Sequence, residues 1–195
     1  MQSNNVKFVT DGSKVYRLAG NEWYVVEQDD DKVMLVDTDC KIGDEELRTP
    51  WSNGYCRSKD GENGQCILDY VNNIANKYFS GIKYVIEPRT VEAGTGKLED
   101  AYMWPMSYEE FEGNKVVGGK IVENSNDNVW TRTFSIGNSI YRYAWRVRNS
   151  NGDLGHLASV DHLYNVAPAF YLRKSLIDRI NEDDEIVLKP EDNVN

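Results

Sequence analysis

A chain of 195 residues with 40% hydrophobic and 11% aromatic side chains can bury one sizeable core, and its 28% charged residues are ordinary for a folded domain. The formal net charge of −10 has the wrong sign for a phosphate backbone, which excludes nucleic acid as a general partner. No apolar run approaches the roughly 20 residues that span a bilayer, so membrane insertion through a helix is not expected.

The first residues, Met1 to Lys14, lack a basic flank followed by an apolar stretch, and no signal peptide is expected there. Lys14 to Leu18 reads as a strand. Val25-Val26 and Val33 to Val36 are β-branched, apolar runs, and the polar stretch Glu27 to Lys32 between them predicts a hairpin. Acidic charge concentrates in Asp29-Asp30-Asp31 and again in Glu182 to Glu185. Both read as solvated turns, because neither has the spaced oxygen ligands of a dedicated calcium loop. Calcium is unsupported and no cofactor is expected.

Cys40, Cys56 and Cys66 all lie in the first third, and an odd count without Cys-x-x-Cys argues against a redox motif or a zinc site. Cys56 and Cys66 bracket a turn-rich loop that a disulfide could staple; free thiols are the alternative. Ile67, Leu68, Val71, Ile74, Ala75, Tyr78 and Phe79 then recur at spacings of three and four, which predicts an amphipathic helix stopped by Gly81. Lys83 to Gly94 reads as one strand entering a Gly-rich connection. That connection, Glu92 to Lys97, lacks the spacing of a phosphate loop. Ser107 stands three residues before Glu110, a capping box that predicts a short helix from Tyr108 to Glu112 closed by Gly113.

The most distinctive stretch runs from Val129 to Val160. Tyr141, Tyr143, Trp145 and Val147 alternate with Arg142, Ala144, Arg146 and Arg148, and this period of two predicts a strand with aromatics on one face and arginines on the other. Asn151-Gly152 supplies a tight turn, and Asp153 to Val160 returns as the partner strand. The aromatics are either core or ligand surface. The arginines are either a solvated face pairing with residues such as Asp153, or a positive patch able to grip carboxylate, sulfate or phosphate through two hydrogen bonds. A last strand carrying Pro168 precedes an acidic C-terminal extension, 176–195. Short strands, one main helix and long loops define an α+β chain, read as a single domain over 1–195 with its core at about 14–175.

Several segments in order carry a resemblance: Asn21 to Asp39, Leu68 to Asn73, Tyr102 to Phe111, Val129 to Ser135 and Asn165 to Arg173. The chain resembles a bacterial and phage family of uncharacterised domains related to the C-type-lectin-like fold of formylglycine-generating enzymes and retroelement-diversified variable proteins. Met106 to Glu110 stands for that family's Pro-Ser-x-x-Glu element, Trp130 to Thr133 for its Trp-Leu-Arg-Ser element, and Val166, Pro168 and Ala169 for its last strand. Ala167 departs from the pattern, which has arginine there. The resemblance implies a C-type-lectin-like domain whose C-terminal half presents binding loops, at a bacterial cell surface or in a phage particle.

Catalysis is not expected. The formylglycine-generating branch uses a cysteine pair in its C-terminal half, and no cysteine follows Cys66 here. His156 and His162, with Asp161, could be arranged as a two-histidine, one-carboxylate iron site, but they read as ordinary strand and turn histidines. No Gly-x-Ser-x-Gly motif is present. The expected function is a non-catalytic recognition module for a glycan or protein. A structural or assembly domain is the alternative, and a metal-dependent oxygenase a distant third. The candidate ligand-binding residues are Trp130, Arg132, Tyr141, Arg142, Arg146, Arg148, His156, His162 and Tyr164. The loops Glu123 to Asn128 and Ser135 to Tyr141 add Asn, Ser and Tyr suited to adaptable hydrogen bonding.

Overall fold

A computed structural model describes residues 6–54, 57–135, 142–148 and 151–191. Strands β1 (Val15–Leu18), β2 (Asn21–Gln28) and β3 (Lys32–Asp37) form an antiparallel meander, as their alternating and β-branched patterns predict. A small hairpin, β4 (Lys41–Ile42) and β5 (Glu45–Glu46), and the short β6 (Arg48–Pro50) lead to helix α1 (Gln65–Tyr78). Next come β7 (Ile86–Glu87), β8 (Arg89–Ala93), β9 (Gly96–Ala101) and β10 (Trp104–Pro105). Helices α2 (Tyr108–Glu112) and α3 (Lys115–Ser125) precede β11 (Val129–Ser135), β12 (Tyr143–Val147), β13 (Leu154–Ser159), β14 (Leu163–Asn165) and β15 (Pro168–Arg173). The hairpin of β16 (Ile177–Ile180) and β17 (Ile186–Leu188) follows.

The result is a mixed α+β structure made mostly of strands. One sheet runs β1-β2-β3-β15-β10, with β7 also paired to β15; a second runs β13-β12-β11-β14-β6. The late strand β15 is central to the first sheet, so chain segments more than a hundred residues apart pair directly, Phe170 opposite Leu35 and Leu172 opposite Val33. One contiguous core joins both sheets. At its centre the Trp23 ring meets Phe170 at 4.9 Å and Phe79 at 5.6 Å, both edge to face. α1 packs Ile67, Leu68, Val71, Ile74 and Ala75 into this core, the stripe its spacing predicts.

Several expectations are corrected. α1 ends at Tyr78, and Gly81 lies inside a following 3-10 turn, Ser80–Val85. The single strand expected from Lys83 to Gly94 is divided into that turn, β7 and β8, and Pro88 sits at the break between the two strands. α3 was not signalled at all. Its Val116, Val117, Gly118 and Gly119 are poor helix formers, but Gly118 lets the helix close on Phe111 and Val147, where a Cβ would lie 3.1 Å from the Phe111 ring. The acidic extension is not merely a solvated end. It holds the β16–β17 hairpin, with Ile177 and Ile186 buried and the Asp184 carbonyl accepting from the Arg17 amide at 3.0 Å.

β12 does not bury one face and leave the other to solvent. Ala144 and Val147 are the buried residues, while Tyr143, Trp145 and Arg146 are half-buried. The register slips between Ala144 and Arg146 against β13, and between Trp130 and Phe134 against β11. The extra residues of these bulges lie in β11 and β13, so β12 keeps its own alternation, but neither of its faces is wholly core or wholly solvent.

Candidate functional site

A cleft of about 750 Å³ lies where β8 and the β8–β9 turn face β11 and the start of α2. Its shape begins with local sequence. Ser107 caps α2, its hydroxyl accepting from the Glu110 amide at 3.1 Å while a Glu110 carboxylate oxygen accepts from the Ser107 amide at 2.6 Å. This capping box, foreseen from Ser-x-x-Glu, holds the Glu110 side chain against β11. There Arg132 takes it in a two-pronged ion pair, with Nη2 3.0 Å from Oε1 and Nη1 bonded to Oε2. Arg132 also donates to the Pro105 carbonyl at 3.0 Å, and its own amide donates to the Met106 carbonyl at 3.0 Å. The Tyr108 amide donates to Thr133 Oγ1 at 2.8 Å, which clamps α2 to β11 a second time.

Burial works to raise the Glu110 pKa, but the Arg132 hydrogen bonds and charge, the Ser107 amide and nearby Arg89 outweigh it. The carboxyl is held below its ordinary range. Arg89, at the start of β8, approaches Glu110 Oε1 to only 3.9 Å. Its guanidinium instead lies over the rings of Trp104, at 5.1 Å, and Tyr171, at 5.7 Å.

The opposite wall comes from the segment before α1. Glu62 forms an ion pair with Arg142 at 2.6 Å, and its carbonyl accepts from the Thr95 amide at 2.8 Å. The Gly64 amide donates to Ala93 O at 3.0 Å, docking the β8–β9 turn on the helix start. Gly94 makes this approach possible. Its φ is +57°, and a Cβ there would stand 1.9 Å from the Glu62 carbonyl oxygen. Phe134 completes the lining, half-buried and 5.5 Å from the Trp51 ring. Thr90, Thr95, Ser107 and Thr133 bring hydroxyls to the cleft, and Glu92 and Glu109 bring exposed carboxylates to its edge.

Of the residues singled out from sequence, Arg132 lines this cleft and Arg142 braces its wall. Arg146, Tyr164 and His162 gather separately. The Arg146 guanidinium lies 4.8 Å from the Tyr164 ring centre, and His162 Nδ1 is 3.3 Å from the Tyr164 hydroxyl. Trp130 is corrected to a core residue. It is fully buried, edge-on to Tyr164 at 5.0 Å, with its indole N–H donated to the Thr49 carbonyl at 3.0 Å. Arg148 is exposed at the start of the turn, its stem crossing Gly155, where a Cβ would meet it at 2.6 Å.

Tyr141 and Cys56 lie outside the described residues, as does the side chain of His156, whose backbone belongs to β13. Cys66 carries a free thiol 3.9 Å from Thr49 Oγ1, and Cys40 a free, buried one. Among the described residues no three His, Cys, Asp or Glu side chains gather as a metal site, and no helix is long and apolar enough to cross a membrane. Sequence reading missed Arg89, Thr90, Thr95 and Phe134. Of this neighbourhood the sequence marked the Ser107–Glu110 capping box and Arg132, because the cleft is assembled from segments that no local pattern links.

No family model, curated protein or solved structure matches this chain.

Proposed function

We propose that the protein is a non-catalytic recognition module and that the cleft between β8 and β11 receives a glycan. The cleft itself carries this reading. Its volume is that of a small-ligand site, and its lining sets four hydroxyls and several carboxylates around one half-buried aromatic ring. A sugar presents the complementary surface, hydroxyls that both donate and accept beside a C–H face that packs on Phe134. The chemistry favours binding over catalysis. A general acid needs a carboxyl pKa near neutrality, whereas Glu110 is locked to Arg132 and held low.

The finer fold reading is a variant of the C-type-lectin-like architecture, acting at a bacterial cell surface or in a phage particle. The fold part of this reading is supported by the pairing of β15 with the early strand β3, and by the second sheet, which carries β11, β12 and β13. Ala167, standing where the resembled family has arginine, is buried within that arrangement.

A glycan array probed with the full chain tests the site. Thr95→Trp places an indole at the cleft mouth and is expected to abolish saturable binding without changing the melting temperature; Arg148→Ala is expected to leave binding intact. Binding lost in Arg148→Ala and kept in Thr95→Trp would move the site to the hairpin turn. A folded protein that binds no glycan would sink the reading in favour of a protein partner or an assembly role.

A further inference from the structure

Arg89 is a cation of the cleft whose side chain makes no hydrogen bond among the described residues. Glu110 accepts from Nη1 and Nη2 of Arg132 and from the Ser107 amide, while Arg89 stands 3.9 Å away, beyond hydrogen-bonding reach. No hydrogen bond from the Arg89 side chain is made to any described residue. Its guanidinium is nonetheless positioned, because the faces of Trp104 and Tyr171 lie beneath it, and its side chain is 37% exposed in the cleft lining. Stacking occupies the face of a guanidinium and leaves the N–H groups along its edge. Those groups match the two oxygens of a planar carboxylate.

Two hydroxyls line the same cleft with their oxygens already engaged as acceptors. Thr133 Oγ1 accepts from the Tyr108 amide, and Ser107 Oγ accepts from the Glu110 amide. Each therefore keeps its hydroxyl hydrogen for donation. The carboxylates around them set the limit on ligand charge. Glu62 is matched by Arg142, but Glu92 and Glu109 are exposed at the edge and repel dense negative charge.

We propose that the ligand is an acidic saccharide of the uronic-acid class, its carboxylate held edge-on by Arg89, with neutral hydroxylated sugars on either side. This rests on the cleft being the glycan site. The carboxylate is the recognised group, and a densely sulfated polymer is excluded by Glu92 and Glu109.

The test is calorimetric titration of the full chain with a panel of uronic-acid oligosaccharides, each paired with its methyl ester, which keeps the shape and removes the charge. Acid forms are expected to bind at least about tenfold more tightly than their esters. Arg89→Ala should bring acid and ester to the same affinity, and Arg89→Lys, which keeps the charge without the fork, should recover only part of the preference. Equal binding of acid and ester by the unaltered protein overturns the proposal while leaving a glycan site in place. An acid preference that survives in folded Arg89→Ala also overturns it. Should that variant fail to fold, the acid–ester comparison on the unaltered protein decides. If neither form of any saccharide binds, the glycan reading falls and the proposal with it.

Discussion

Arg132 and Glu110 show how one pair can be structural and still shape a binding surface. Both side chains are largely buried, at 13% and 20% exposure, and every strong donor around Glu110 favours its charged form. Its folded pKa lies below the ordinary carboxylate value. The stability this contributes is therefore fully present above about pH 4.3 and is lost as pH falls through the lower folded value. Arg132→Ala should cost about 3 kcal/mol at pH 7, at the low end for breaking a buried pair because Arg89 remains nearby. The loss should shrink at pH 3, where Glu110 can protonate. Urea unfolding at the two pH values checks this, and an equal loss at both would assign the cost to lost packing instead. Sequence alone marked Arg132, yet as a ligand contact. Its neighbours Pro105, Ser107 and Glu110 are twenty or more residues away, and no local pattern announces such a pairing.

Among the elements, α2 and α3 contrast in what their sequences disclose. α2 has only five residues, too few to be stable alone, and its cap was legible because Ser-x-x-Glu carries its own hydrogen-bond chemistry. Ser107→Ala should cost about 1 kcal/mol by denaturant unfolding. It should also weaken glycan binding, because the clamp that aims Glu110 and Thr133 is loosened; unchanged affinity would separate the cap from the cleft. α3 lacked any signal, since two glycines and β-branched residues favour other conformations, and packing against Phe111 and Val147 decided the matter. β12 shows the opposite case, a legible strand between irregular partners. Its alternation is clear, and the bulges beside it leave no mark in its sequence, because the extra residues belong to β11 and β13.

For the molecule as a whole, the placement of β15 governs stability. This strand pairs with β3, β7 and β10 at once and sends Phe170 against Trp23 and Phe79. It joins the early meander to the walls of the cleft, since Trp104 on β10 and Tyr171 on β15 both lie under Arg89. Phe170→Ala should lower stability by about 3–5 kcal/mol. Followed by both tryptophan fluorescence and circular dichroism, unfolding should remain a single transition; separate transitions would show that the two sheets fold independently.

By itself the sequence determined the composition of a large core, the β1–β3 meander, α1 and the α2 cap. Each of these rests on interactions within a few residues or on a hydrophobic period that every neighbour shares. Tertiary structure decided the rest: α3, the bulged register of β12, the burial of Trp130 and the cleft. Arg89 owes its position to two rings from distant strands, beside a carboxylate that another arginine grips. Those contacts depend on long-range pairing, and the residues that make them are ordinary until the chain brings them together.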